Sequence, residues 1–366
     1  MNSHFYRIIF NKARGMLMVV AEIARSARRE PGRTLAARPQ AASLLPSLRP
    51  LSLALWSALG VITLIAPGQA TIVADGNAPA GQQPTIINSA NGTPQVNIQT
   101  PTRGGVSRNT FSRFDVDDKG VILNNSHAPT QTQLGGLVTG NPWLARGEAR
   151  VILNEVNARD PSQLNGYIEV AGQKAQVVIA NPAGITCNGC GFINANRATL
   201  TTGQAQLNDG QLTGYQINGG EIAVTGNGLD SRGQEYTDII ARSVKVNAGV
   251  WAQNLKVTAG SNQVDAAHDR ISATQPTGQR PQVAIDVAQL GGMYANKIRL
   301  IGTEQGVGVH NAGTIGAAAG ELTLSASGRL ENSGSLNGGD ISLSAGAVEN
   351  HGTLYAGRAL AVVVWA

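Results

Sequence analysis

The stretch Val309 to Leu354, VHNAGTIGAAAGELTLSASGRLENSGSLNGGDISLSAGAVENHGTL, states one phrase three times. Val309 to Ile315, Leu330 to Leu336 and Val348 to Leu354 each read apolar-x-Asn-x-Gly-(Ser/Thr)-apolar, with Asn311, Asn332 and Asn350 spaced by 21 and 18 residues. Between the phrases lie ELTLSA (321–326) and DISLSA (340–345), strands of period two in step with the Asn-x-Gly turns. A unit of this length cannot bury an apolar face by itself and becomes stable only when stacked on its neighbours. One coil per roughly 20 residues, each about 4.8 Å above the last, is the arithmetic of a parallel β-helix. Small residues suit its tight corners, and asparagine tolerates left-handed backbone and can stack on the coil above. A leucine-rich repeat would want a longer leucine frame and a helical return, and the sequence offers neither.

Upstream the same grammar continues in a less regular form. Val121 to Leu123 before Asn124-Asn125, Ala149 to Val156, Tyr167 to Val170 and Gln176 to Ala180 are short strands divided by turn pairs. Residues 71–105 place Pro79, Pro84, Pro94 and Pro101 between short apolar pieces, which suits edge strands and turns. A stacked sheet needs such a cap, because an open first coil leaves a row of unpaired backbone groups.

Forty-five glycines, 4% aromatic and 14% charged residues fit a repetitive all-β body with little helix after residue 71. The pI of about 9.4 raises the question of nucleic acid, so the position of the charge decides. Residues 1–70 carry nine Lys/Arg against Glu22 and Glu30, a net of +7, which leaves the rest of the chain near −2. A slightly acidic body of this kind is not a nucleic-acid binder.

The basic region is an export signal in two parts. LSLALWSALGVITLIA (51–66) is an uncharged run between Arg49 and Pro67-Gly68-Gln69-Ala70, with small residues where a signal peptidase reads, and cleavage is expected after Ala70. The run is shorter than the roughly 20 residues of a stable membrane span. Ahead of it, MNSHFYRIIFNKARGMLMVVAE (1–22) is an aromatic, basic prefix that an ordinary signal peptide lacks, and 25–50 reads as a disordered Arg/Ala/Pro segment.

The chemistry-bearing candidates are few. Cys187-Asn188-Gly189-Cys190 is the only cysteine pair. A redox site would want a helix N-terminus, and the enclosed Asn-Gly calls for a turn instead. Structural zinc needs four ligands. In an exported protein the default is a small local disulfide, with free thiols and a metal or redox site as the alternatives. Asp115, Asp117 and Asp118 are the nearest approach to the acidic cluster that a polysaccharide-active β-helix enzyme would need, yet no metal-binding glycine turn surrounds them. No catalytic residue, cofactor or metal is expected.

Two further blocks carry a resemblance. Asn141-Pro142-Trp143-Leu144 and Asn181-Pro182-Ala183-Gly184-Ile185 fall in the order of the Asn-Pro-Asn-Leu and Asn-Pro-Asn-Gly-Ile motifs of filamentous-haemagglutinin-type secretion domains, each with its third residue changed. The segments 290–298 and 302–309 resemble the passage from that domain into haemagglutinin repeats, and 1–22 resembles the extended signal region of large secreted proteins. The resemblance covers roughly 71–310. It implies a capped right-handed parallel β-helix with extra-helical β-hairpins, divided into an extended signal peptide (1–70), a two-partner secretion domain (71–308) and the start of a repeat array (309–366). It also implies an outer-membrane β-barrel transporter of the Omp85 type as partner, a surface receptor on host or neighbouring cells, and export through the Sec pathway. The function it implies is that of a secreted adhesin or haemagglutinin, or else the N-terminal part of a contact-dependent inhibition protein. The Asn-Pro motifs would then be structural turns, contacts to the transporter, or both.

Overall fold

The computed structural model describes residues 6–11, 16–21 and 71–365. The apolar run 51–66 and the cleavage point expected after Ala70 lie outside the described residues. The chain divides into two compact units, Met1–Leu64 and Ile65–Ala366. In the first, Tyr6–Asn11 and Met16–Ala21 pair as an antiparallel hairpin.

The second unit is a right-handed parallel β-helix. Its first face stacks Val106–Asp115, Val151–Val156, Ala175–Ala180 and Ala195–Thr201 and continues through residues 236–241, 254–259 and 297–302. Two other faces stack in the same way, one from Val121–Asn125 and Tyr167–Gly172, the other from Ser162–Leu164 and Ile185–Cys187. In the C-terminal coils a single strand bends around the corners. Thr314–Asn332 and Ser335–Asn350 run in register, with shifts only between Ala317 and Glu321 and between Ala326 and Arg329.

Period-two alternation sends one set of side chains inward, where they stack coil upon coil. Leu200, Ile239, Val257, Leu300, Leu324 and Leu343 form one such interior column. The expected Asn ladder is present: the Asn311 side chain donates to Asn332 Oδ1 at 2.8 Å, and Asn332 donates to Asn350 Oδ1 at 2.6 Å. The buried Asn311 and Asn332 amides also donate to the Ser335 and Thr353 carbonyls, which apolar residues would leave without these donors.

The N-terminal cap is built of short strands with antiparallel pairings. Thr71–Ala74 pairs with Val106–Asp115, and Thr85–Asn88 pairs with Pro94–Asn97. Two extra-helical sheets project from the coil. Thr130–Thr132 and Gly136–Val138 form a small hairpin. Gln204–Asn208, Gln211–Ile217, Asn262–Asp265 and Ile271–Ala273 form a four-stranded antiparallel sheet. That larger sheet covers the outer side of the first face, where Tyr215, Ile217 and Val264 pack on Leu153, Val178 and Ile240. This is why VILNEV and AQVVIA are apolar on both faces of the strand.

Candidate functional site

The two Asn-Pro blocks are corners of the coil, and both are built around a buried asparagine. Proline holds the residue before it in extended backbone and fixes its own φ for the turn that follows. The Asn side chain then closes an Asx turn onto the backbone two residues on. In the first block Asn141 Oδ1 accepts from the Trp143 amide at 3.0 Å, and its Nδ2 donates to the carbonyls of Ile98 and Asn124, each at 2.9 Å. In the second, Asn181 Oδ1 accepts from the Ala183 amide at 2.9 Å, while Nδ2 donates to the Asp160 carbonyl at 3.2 Å and Ser162 Oγ at 3.0 Å. Its backbone N–H reaches the Thr201 carbonyl of the following coil at 3.0 Å.

Each turn thus fastens neighbouring coils. The Asn141 turn also grips the cap: Thr100 donates to the Trp143 carbonyl, and the Trp143 indole donates to Thr85 Oγ1. Leu144 and Ile185 point inward, 1% exposed, and plug the interior. The third residue of each motif contributes a backbone amide to the Asx turn, which explains how Trp143 and Ala183 can stand there. Pro142, Trp143 and Pro182 remain at the surface. Pro182 borders a groove of about 260 Å³ whose other walls include Arg108, Glu155 and Gln204, with Arg108 and Glu155 ion-paired. The two corners share no hydrogen-bond partner and are separate sites.

Gly184 must be glycine. Its φ is +127°, and a Cβ there would meet the Glu221 carbonyl oxygen at 2.9 Å.

Cys187 and Cys190 are joined in a disulfide with Cα atoms 5.3 Å apart. It lies inside the coil, among the buried residues of the apolar interior, with the Asn188-Gly189 turn outside it. Gly189 has the positive φ, +81°, that such a turn requires. Two of the three acidic residues are engaged in local contacts. Asp115 accepts from the Gln163 amide and pairs with Arg113, and Asp117 accepts from the Lys119 amide.

One feature without a local sequence signal sits at the margin of the large extra-helical sheet. Asp238, 1% exposed, accepts from Arg197 Nε at 2.7 Å and lies 3.0 Å from His268 Nδ1. Burial pushes its carboxyl up, but His268 and Arg197 together hold it below the ordinary aspartate value. His268 is itself 1% exposed, in left-handed backbone with φ of 66°. Only the fold brings 197, 238 and 268 together.

The family model described as the TPS secretion domain matches residues 70–332. An extended signal peptide of the type V secretion system matches 1–49, and a haemagglutinin repeat matches 335–365. The chain is 65% identical over 359 residues to a "Toxin CdiA" of Yersinia pestis, covering 97% of this chain and 11% of that one. It is 47% identical to a "tRNA nuclease CdiA-2" of Burkholderia pseudomallei strain 1026b, covering 92% and 11%. It therefore spans about a tenth of the length of these curated relatives. The crystal structure of a filamentous hemagglutinin secretion domain superposes with a TM-score of 0.69 at 31% identity, covering 80% of this chain and 99% of that one.

Proposed function

The chain belongs to the TPS secretion domain family as a two-partner secretion exoprotein exported through the Sec pathway to the cell surface, and from this premise we propose that its β-helix is the export address of an adhesin-like protein. The TPS domain implies a cognate outer-membrane transporter, and we assign that partner to the Omp85 type of β-barrel. The observation that carries the reading is the pair of Asn-Pro corners. Their asparagines are buried in the fold, and their prolines and Trp143 are presented outward. The corners organise the surface, and recognition falls to the exposed residues beside them. The N-terminal region acts in export and carries no catalytic role. The boundaries that fit this division are 1–70 for the signal, 71–308 for secretion and 309–366 for the first repeats, with cleavage after Ala70.

A second reading rests on a specific observation, the 65% identity to a protein named for toxin activity over 97% of this chain. In that reading the same export domain begins a contact-dependent inhibition protein. Its toxic activity would reside in sequence beyond the shared region, and its receptor would lie on a neighbouring cell instead of a host.

The test is export of residues 1–366 from cells with and without the cognate transporter. Protein should reach the medium only with the transporter, and equal release from both strains would refute the assignment. A Trp143→Ala, Pro182→Ala double variant should lose little stability beyond the Trp143–Thr85 hydrogen bond and should export poorly, which separates recognition from folding.

A further inference from the structure

Beside the Asp238 cluster lies a cavity of about 320 Å³, on the outer side of the first face where the coil emerges from beneath the extra-helical sheet. Four cations line it, Arg197, Lys256, Lys297 and Arg299, against two carboxylates, Asp238 and Asp269. The strand register makes this excess unavoidable. Lys256 stacks directly on Arg299, one coil apart, and Asn254 stacks on Lys297. Adjacent coils are about 4.8 Å apart, so the half-buried Lys256 and the exposed Arg299 hold like charges side by side.

The neighbouring carboxylates relieve this only in part. Asp238 is already engaged by Arg197 and His268. Asp269 lies 3.6 Å from the Lys256 ammonium with its own side chain 79% exposed, and Lys297 is paired with Glu321 at 2.7 Å. Among the described residues no carboxylate lies in ion-pair range of Arg299. Lys256 is also confined, because its side chain is 15% exposed and donates to the His268 carbonyl. Burial and the nearby Arg299 both lower its affinity for a proton. A like-charge pair so placed costs stability in the empty cavity and is relieved by an anion seated between the two cations.

We infer that this cavity is a binding site for a phosphoryl group, carried on a sugar or free in solution. A phosphomonoester is nearly dianionic at neutral pH and can face both members of the stacked Lys256 and Arg299 pair. Its several oxygens can meet the Arg299 fork and the Lys256 ammonium together, with nearly two negative charges where a carboxylate brings one. Asn254 and the ring of Tyr236 complete a wall with both polar and apolar surface, suited to the body of a sugar. The wall is held in place: Arg197 sits 5.4 Å above the Tyr236 ring and donates to the Ala267 carbonyl. The left-handed His268 directs its carbonyl toward Lys256.

Titration calorimetry of the exported chain at low ionic strength tests this with inorganic phosphate, glucose 6-phosphate and glucose. Both phosphates should bind saturably and glucose should not. Tighter binding of glucose 6-phosphate identifies a sugar-phosphate site, and equal binding identifies a site for free phosphate. Arg299→Gln should weaken binding roughly tenfold without lowering Tm, because Arg299 holds no carboxylate among the described residues, and Arg299→Lys should recover part of the loss. Absence of saturable binding by either phosphate, or equal affinity in Arg299→Gln, would overturn the assignment.

Discussion

Replacing Asn181 by alanine removes three side-chain hydrogen bonds at a site with 0% exposure. Each is a neutral bond worth about 1 kcal/mol net, which gives roughly 3 kcal/mol. The Ala183 amide would also lose its partner in a half-buried turn, so this is a lower bound for a corner that cannot relax toward water. With a urea slope of about 3 kcal/mol per molar, fitting a chain larger than the usual small domain, the unfolding midpoint should fall by about 1 M. Pro182→Ala is the control. It is exposed and changes mainly the freedom of the unfolded chain, so it should cost at most about 1 kcal/mol. Urea unfolding followed by circular dichroism, together with export yield for both variants, separates the roles. Asn181→Ala should lose export in proportion to its lost stability. Loss of export at an unchanged midpoint would show that Asn181 acts through the transporter and not through the fold, and would refute its role as the fastener of the corner.

Two coil corners and one surface ion pair offer further tests. A Cβ on Gly334 would sit 2.0 Å from the Gly313 carbonyl oxygen, and Gly352 meets Gly334 at the same distance. Gly334→Ala should therefore destabilise by about 3 kcal/mol in thermal or urea melts, whereas Gly316→Ala, with 3.7 Å of clearance, should be nearly neutral. The Asp230 carboxyl is held down to about 2, chiefly by Arg232 and further by the Tyr167 hydroxyl. Its contribution is present above the unfolded value near pH 4 and is lost as pH falls toward 2; with the pair largely exposed it amounts to less than about 1 kcal/mol. The Tm difference between the chain and Asp230→Asn should narrow across that window, and a constant difference would contradict the assignment.

The coil was legible in the sequence because two independent demands fall on the same short phrase. Asn-x-Gly needs an asparagine whose amide can reach the next asparagine, and a glycine over which the neighbouring coil's carbonyl can sit. Asn332 and Gly334 meet both demands at once, so three repetitions sufficed to name the architecture. The cap was legible for a similar local reason, since proline removes ladder donors wherever it stands. The cysteine turn was legible through its Asn-Gly, although its position inside the apolar interior was not.

What escaped the sequence is non-local. VILNEV and AQVVIA announce an outer face that must be covered, but the cover comes from residues 204–217 and 262–273, which pair with each other only once two coils have passed between them. No window of sequence contains both halves. The same separation hides the cluster of Arg197, Asp238 and His268: each is an ordinary polar residue in its own strand or turn, and the register alone gives them a common partner. The Asn-Pro motifs lie between these cases. Their turn chemistry is local and was visible, but the choice between shaping the surface and being the surface depends on burial. With Asn141 at 1% and Asn181 at 0% exposure, the corners present to solvent not their asparagines but neighbours such as Pro142, Trp143 and Pro182. The third motif position, which contributes an amide to the turn while its side chain faces outward in Trp143, is where sequence can vary without loss of the corner. Variation there changes the outward face of the corner while keeping the coil.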